Sequence, residues 1–166
     1  LFGDKKSSYS FMSVNDQSIT ISNALRLKIA IPKQYKIFNI ETVSADYSIK
    51  NLVLEQLSIN NVSGDLKLDQ VKALNTMINT VSGDLELKDI QFENVKLDTV
   101  SGDVAFKFKL PSNLTAEITS ISGDIEGDTY FEKYITDKKL KLGEPKSKIM
   151  VNSVSGDIEF SKTAVK

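Results

Sequence analysis

Val81-Ser82-Gly83-Asp84-Leu85-Glu86-Leu87 decides the fold, because its first four residues recur along the chain. The copies are Val43-Ser44-Ala45-Asp46, with alanine in the glycine's place, Val62-Ser63-Gly64-Asp65, Val81-Ser82-Gly83-Asp84, Val100-Ser101-Gly102-Asp103, Ile121-Ser122-Gly123-Asp124 and Val154-Ser155-Gly156-Asp157. Successive aspartates are 19, 19, 19, 21 and 33 residues apart. A fixed period of this length is the signature of stacked repeats, each too small to bury its own apolar face.

Stacking the copies aligns apolar columns on both sides of the motif. Before it run Ile40, Ile59, Ile78, Leu97, Ile118 and Val151, and two residues earlier Phe38, Leu57, Thr76, Val95, Ala116 and Ile149. After it come Tyr47, Leu66, Leu85, Val104, Ile125 and Ile158, then Ile49, Leu68, Leu87, Phe106, Gly127 and Phe160. The register survives the 21- and 33-residue spacings, so the added residues lie between strands. Within a unit the period is two, the mark of a strand with one buried face. That parity puts Val81 and Gly83 inward with Leu85 and Leu87. It also puts Val100 inward after Val95 and Leu97, which requires a one-residue phase slip and hence a corner or bulge at the Thr99-Val100 step. Each unit is then two short strands and two turns.

A single unit cannot stand alone. Ordering its backbone costs about 1–2 kcal/mol per residue, against a handful of buried side chains at about 1.5–3 kcal/mol each. Stacking closes the core from both sides and pairs equivalent strands in parallel. The expectation is an all-β solenoid of about six coils with about 19 residues per coil. It forms one domain over 1–166, with N-terminal capping strands in 1–36, regular coils in 37–125, an insertion or cap hairpin in 126–150 and the last coil in 151–166. The capping strands are read at Ser18 to Ser22 and at Leu25 to Ile31, the second stopped by Pro32.

Composition removes whole classes of chemistry. Among 166 residues there is no His, no Cys and no Trp. Disulfides, thiolate nucleophiles, Ser-His-Asp constellations and Cys- or His-ligated metals are excluded with them. Arg26 is the one arginine among 21 basic residues and the net charge is −1, which argues against nucleic acid as the partner. No run of eighteen apolar residues occurs, and Leu1-Phe2-Gly3-Asp4 reads neither as a signal peptide nor as a start. The chain is therefore expected to be part of a longer protein whose targeting segment lies elsewhere.

Stacking would put Ser44, Ser63, Ser82, Ser101, Ser122 and Ser155 in one row and the six motif aspartates in another. Adjacent coils are about 4.8 Å apart, where two exposed like charges repel by about 0.9 kcal/mol in water. Two readings can offset that repulsion. Either the Asp and Ser oxygens hold a row of Ca²⁺ ions, or each Asp accepts turn N–H groups while Ser bonds along its row. The second needs no metal, and one Asp per coil supplies too few oxygens for the first. Ser63-Gly64-Asp65, Ser82-Gly83-Asp84, Ser101-Gly102-Asp103, Ser122-Gly123-Asp124 and Ser155-Gly156-Asp157 are thus read as a structural motif. The Ala45 replacement suggests that smallness counts for more than a positive φ at the glycine. Thr42, Asn61, Thr80, Thr99, Ser120 and Ser153 read as a corner ladder.

The 124–155 insertion is the local candidate for binding, since added loops on a regular scaffold carry specificity. Tyr130, Phe131 and Tyr134 beside Lys138, Lys139 and Lys141 could grip an anionic or sugar-like surface; the same aromatics could instead cover the last coil. Asp84 and Glu86 form no catalytic pair, because a glycosidase needs two carboxylates in one cleft.

The repeated Val-Ser-Gly-Asp motif, Leu27-Lys28-Ile29-Ala30-Ile31-Pro32, Leu110-Pro111-Ser112 and Leu142-Gly143 followed by Ile149 to Asp157 resemble one bacterial family over residues 25–162. It is the β-strand-repeat family of unknown function that carries an adhesin label and takes in the Lia-type cell-envelope stress proteins. The resemblance implies a right-handed single-stranded β-helix-like domain, exported or membrane-anchored, and supplies no catalytic residue, cofactor or ligand. The function expected is non-enzymatic binding or scaffolding at the cell envelope or outside the cell. Its partner would be a cell-wall polymer, a surface protein or a membrane-associated molecule, with self-association possible. The alternatives are a β-helix polysaccharide lyase or hydrolase, and a purely structural spacer or self-assembly module.

Overall fold

The computed structural model describes residues 11–14, 18–22, 34–109, 113–144 and 146–163. They form sixteen strands and one short 3-10 turn. In chain order the strands are β1 (Phe11–Val14), β2 (Ser18–Ser22), β3 (Ile37–Ser44), β4 (Tyr47–Lys50), β5 (Val53–Ser63), β6 (Leu66–Asp69), β7 (Lys72–Asn79) and β8 (Leu85–Lys88). They continue as β9 (Asn94–Thr99), β10 (Val104–Phe108), β11 (Leu114–Ser120), β12 (Ile125–Gly127), β13 (Ile135–Thr136), β14 (Lys139–Leu142), β15 (Ser147–Ser153) and β16 (Ile158–Lys162), with the 3-10 turn at Glu132–Tyr134. Ser18 to Ser22 is strand β2; the expected strand Leu25 to Ile31, with Pro32, lies outside the described residues, as do Leu110-Pro111-Ser112.

The repeats fold into two sheets facing one core. The long sheet runs β1-β2-β3-β5-β7-β9-β15-β11-β14-β13 and the short one β12-β16-β10-β8-β6-β4. Each repeat contributes one strand to each sheet, and equivalent strands pair in parallel: Leu66 lies opposite Leu85 and Leu68 opposite Leu87, while Leu57 pairs with Thr76 and Ile59 with Ile78. The inward columns meet between the sheets, where Leu57, Leu87, Leu97, Phe106, Ile149, Val151 and Phe160 are fully buried. Phe106 stacks on Phe160 with centroids 5.2 Å apart, adding to the area term the attraction of aligned rings.

Two corners turn each repeat. At the first, Gly64, Gly83, Gly102, Gly123 and Gly156 all have φ between 107° and 122°. A Cβ on Gly83 would stand 2.2 Å from the Gly64 carbonyl oxygen. Positive φ and backbone approach therefore both demand glycine, which corrects the expectation from Ala45 that smallness counts for more than a positive φ. Ala45 begins the row and its φ lies outside the left-handed region. At the second corner Asn51, Gln70 and Asp89 carry φ of 54°, 56° and 50°, the left-handed conformation that Asn and Asp tolerate best among side-chain-bearing residues.

The motif valines also depart from the expectation. Thr80 and Thr99 are buried, whereas Val81 and Val100 are each 46% exposed. The phase slip is real, since Val95, Leu97 and Thr99 point inward and then Val104, Phe106 and Phe108 do. It is taken up across the whole Val-Ser-Gly-Asp turn rather than at the Thr-Val step. The threonine can face inward because its hydroxyl is satisfied there: Thr80 Oγ1 donates to the Ser82 carbonyl and Thr99 Oγ1 to that of Ser101, both at 3.3 Å.

The repeats do not stack in chain order. The last, β15 with β16, lies between the fourth and the fifth: β15 pairs with β9 on one side and β11 on the other, and β16 with β10 and β12. The chain leaves the fourth repeat, builds the fifth one layer further out, forms the segment of β13 and β14, and returns to fill the gap. Antiparallel β14 borders β11, and β13 borders β14.

Candidate functional site

The turn row is a structural ladder. Asp46 Oδ1 accepts the Asp65 N–H, and the same bond runs from Asp65 to Asp84, Asp84 to Asp103, Asp103 to Asp157 and Asp157 to Asp124, at 2.8–3.0 Å. Every carboxylate but that of Asp124, which ends the row, thus holds the next rung's backbone, and the attraction offsets repulsion along the row. The serine hydroxyls of Ser63, Ser82, Ser101, Ser155 and Ser122 donate to the carbonyls of Val43, Val62, Val81, Val100 and Val154. Among the described residues no group of three acidic side chains is gathered to hold a metal ion. Beside this ladder the motif's Val43, Val62, Val81, Val100, Val154 and Ile121 form an exposed apolar rail.

Residues of the insertion separate into different roles. Phe131 is completely buried and sits 6.0 Å from Phe108 and 6.1 Å from Phe160, centroid to centroid. Tyr130 and Tyr134 are half-buried against the same core. Their exposed faces carry cations already present in the chain, Lys162 Nζ 4.5 Å above Tyr130 and Lys133 Nζ 5.1 Å above Tyr134. Lys138 Nζ donates to the Ser120 carbonyl at 2.7 Å. Lys139 and Lys141 alternate with buried Leu140 and Leu142 on β14 and stay exposed. Asp128 fastens the segment, accepting the N–H groups of Tyr130, Phe131 and Lys162. Desolvation raises its pKa, but those three donors outweigh it and the carboxyl ends below its ordinary value. The aromatics thus close the stack at its far end, leaving Lys139 and Lys141 as the free groups of the six.

The two outer faces differ in chemistry although one backbone builds both. On the short sheet the outward residues are mostly charged and paired: Glu86 binds Lys67 and Lys107, and Asp69 lies between Lys50 and Lys88. The hydrogen bond from Lys67 is the main reason the Glu86 carboxyl lies below its ordinary value. On the long sheet the same positions carry amides. Asn39, Gln56, Asn60, Asn75, Asn79, Asn94 and Asn152 all occupy outward positions, whereas the outward positions of β4, β6, β8, β10 and β16 hold none. Asparagine is disfavoured in strands, so strand formation does not account for it.

Register arranges these amides into columns along the stack. Gln56, Asn75, Asn94 and Lys148 form one, and Asn60, Asn79, Asp98 and Asn152 another. Between them run Ser58, Met77, Lys96 and Met150, with Met77 and Met150 exposed. Asn94 Nδ2 donates to Asn75 Oδ1, Asn79 Nδ2 to Asn60 Oδ1 and Asn152 Nδ2 to Asp98 Oδ1, at 3.1, 2.7 and 2.6 Å. Lys96 pairs with Asp98 and Lys148 with Glu117, so the face is close to neutral. Desolvation raises the Asp98 pKa, but the bonds from Asn152 and Lys96 win and hold it low. The column of Gln56, Asn75, Asn94 and Lys148 borders a groove of about 220 Å³ on this face, lined also by Met77, Lys96 and Met150, and a second open groove of about 450 Å³ runs past Asn60 and Asn79 to the corner at Val43, Val62 and Val81. Sequence reasoning passed over the amide columns because it followed the apolar parity; reading the intervening positions at the same 19-residue offset brings out Gln56, Asn75 and Asn94.

Among the described residues no helix is long and apolar enough to cross a membrane. The family model described as Toastrack DUF4097 matches residues 2–108 and, in a second overlapping alignment, 93–161. No curated protein and no solved structure matches the chain.

Proposed function

The chain belongs to the Toastrack DUF4097 family, and on that premise we propose that it is a non-enzymatic binding and scaffold domain of the bacterial cell envelope, wound as a right-handed single-stranded β-helix of six coils. The reading is adhesin-like: the domain engages a cell-wall polymer, a surface protein or a membrane-associated partner outside the cytoplasm. The observation that carries it is the pair of long outer faces whose chemistry repeats from rung to rung, charged on the short sheet and amide-rich on the long one. Such a surface meets an extended partner at many equivalent points, and weak contacts gain strength by number.

Sedimentation with washed bacterial envelopes tests the proposal. The expected result is that the domain pellets with envelopes in proportion to their amount. Its staying in the supernatant at every envelope concentration overturns the binding role, and cleavage of any polysaccharide, abolished by replacing a single Asp or Lys, overturns the non-enzymatic one.

A further inference from the structure

Resting on the envelope-binding reading, we infer that the outer face of the long sheet, along its methionine column and the groove beside it, binds a neutral, extended polysaccharide laid along the stack. The juxtaposition behind this is Met77 and Met150 exposed in a central column, with Asn75 and Asn94 on one side and Asn79 and Asn152 on the other. A pyranose presents hydroxyls at its edges and apolar C–H groups on its faces. The methionine thioethers give a pliable apolar floor for the ring face. The amides, each with two N–H donors and a carbonyl acceptor, can bond the hydroxyls or acetamido groups that project to either side.

Spacing fits as well. Rungs recur about every 4.8 Å, close to the rise of one sugar in an extended chain, and the columns flanking the methionines stand about 13 Å apart, four residues along a strand. The ladder bonds Asn94 to Asn75 and Asn79 to Asn60 use one donor and one acceptor of each pair. They orient the amides and leave further N–H and carbonyl positions facing solvent. Charge selects against other ligands. Lys96 and Lys148 are neutralised by Asp98 and Glu117, so the groove offers no net field for a polyanion or a polycation. The short sheet is the internal control, since the same repeats there present ion pairs instead of amides.

The test titrates the full chain with neutral β-1,4-linked oligosaccharides, with and without N-acetyl groups, and with polygalacturonate, followed by NMR. Binding is expected to shift the side-chain amides of Asn75, Asn79 and Asn94. The Asn75→Ala/Asn94→Ala double variant and Met77→Glu should each weaken it about tenfold or more, the loss expected for removing one or two good polar contacts or the apolar floor. Lys67→Ala/Lys88→Ala on the opposite sheet should leave it unchanged. All five positions face outward on their strands, and matching spectra away from the substituted residues verify the fold. Absence of binding to every neutral glycan, a preference for polygalacturonate, or equal loss in the short-sheet variant overturns the assignment. If the domain still pellets with envelopes in that case, the envelope role stands and only the glycan falls; if it stays in solution, both fall.

Discussion

At the motif glycines the constraint comes down to a hydrogen atom. At Gly83 a methyl group would face both a φ of 122° and a carbonyl oxygen 2.2 Å away on the rung below, and neither can relax without moving the neighbouring repeat. Gly83→Ala is therefore expected to destabilise the protein by about 3 kcal/mol or more, read as a fall in the urea midpoint, while Ala45→Gly at the head of the row should cost under about 1 kcal/mol. Equal effects of the two would show that size, not conformation, governs the site. The alternation of Val81 with Leu85 misleads at this scale for a definite reason. A buried threonine and an exposed valine are nearly the same shape, and what decides between them is the Ser82 carbonyl waiting inside for the Thr80 hydroxyl, a partner visible only once the turn is built.

At the scale of strands, most of the design was legible. The columns of Leu57, Leu66, Leu87 and Phe106 predict the registers found between β5 and β10, because the period of two and the period of 19 must both be honoured at once. The second corner at Asn51, Gln70 and Asp89 was less so, since three different residue types share one conformation. The short sheet's charges carry a pH consequence. The folded-state pKa of Glu86 is lowered, chiefly by the Lys67 hydrogen bond and then by that of Lys107. A depressed carboxylate contributes stability above its unfolded value, here the ordinary 4.5, and loses it as pH falls through the lowered folded value. Asp98 and Asp128, lowered from 3.8, act in the same direction at still lower pH. The urea midpoint should accordingly hold steady at neutral pH and drop below about pH 4.5, and Glu86→Gln should flatten the upper part of that drop. A slope identical to the parent protein's would mean that Glu86 gains nothing from its lysines.

For the molecule as a whole, the last repeat is the joint. Strands β11 and β12 pair with β15 and β16 but not with β9 and β10, so residues 114–142 reach the first four repeats chiefly through 147–162. Phe160, buried against Phe106 and near Phe131, locks that joint. Phe160→Ala should cost about 3–5 kcal/mol. In hydrogen exchange, protection over 114–142 and 147–162 should fall together while that of residues 57–79 persists. Protection lost over 147–162 alone would refute the coupling. This ordering was not legible in the chain. The copies are interchangeable at their edges, since Asp103 Oδ1 could hold the backbone of Asp124 as readily as that of Asp157, and a 33-residue spacing says only that something is added.

The interleaving also imposes a timetable. While the protein is being made, the fifth repeat emerges first and finds no rung to sit on, because the one that belongs beneath it has not yet been translated. At about 5–20 residues per second, the forty or so residues from Ser120 to Lys162 take on the order of seconds. For that interval β9 with β10 and β11 with β12 each have an open edge, the state in which strands most readily pair with the wrong chain. Arrival of Lys162 closes both edges in one step, so the two parts of the stack become a single body only when β15 and β16 are delivered.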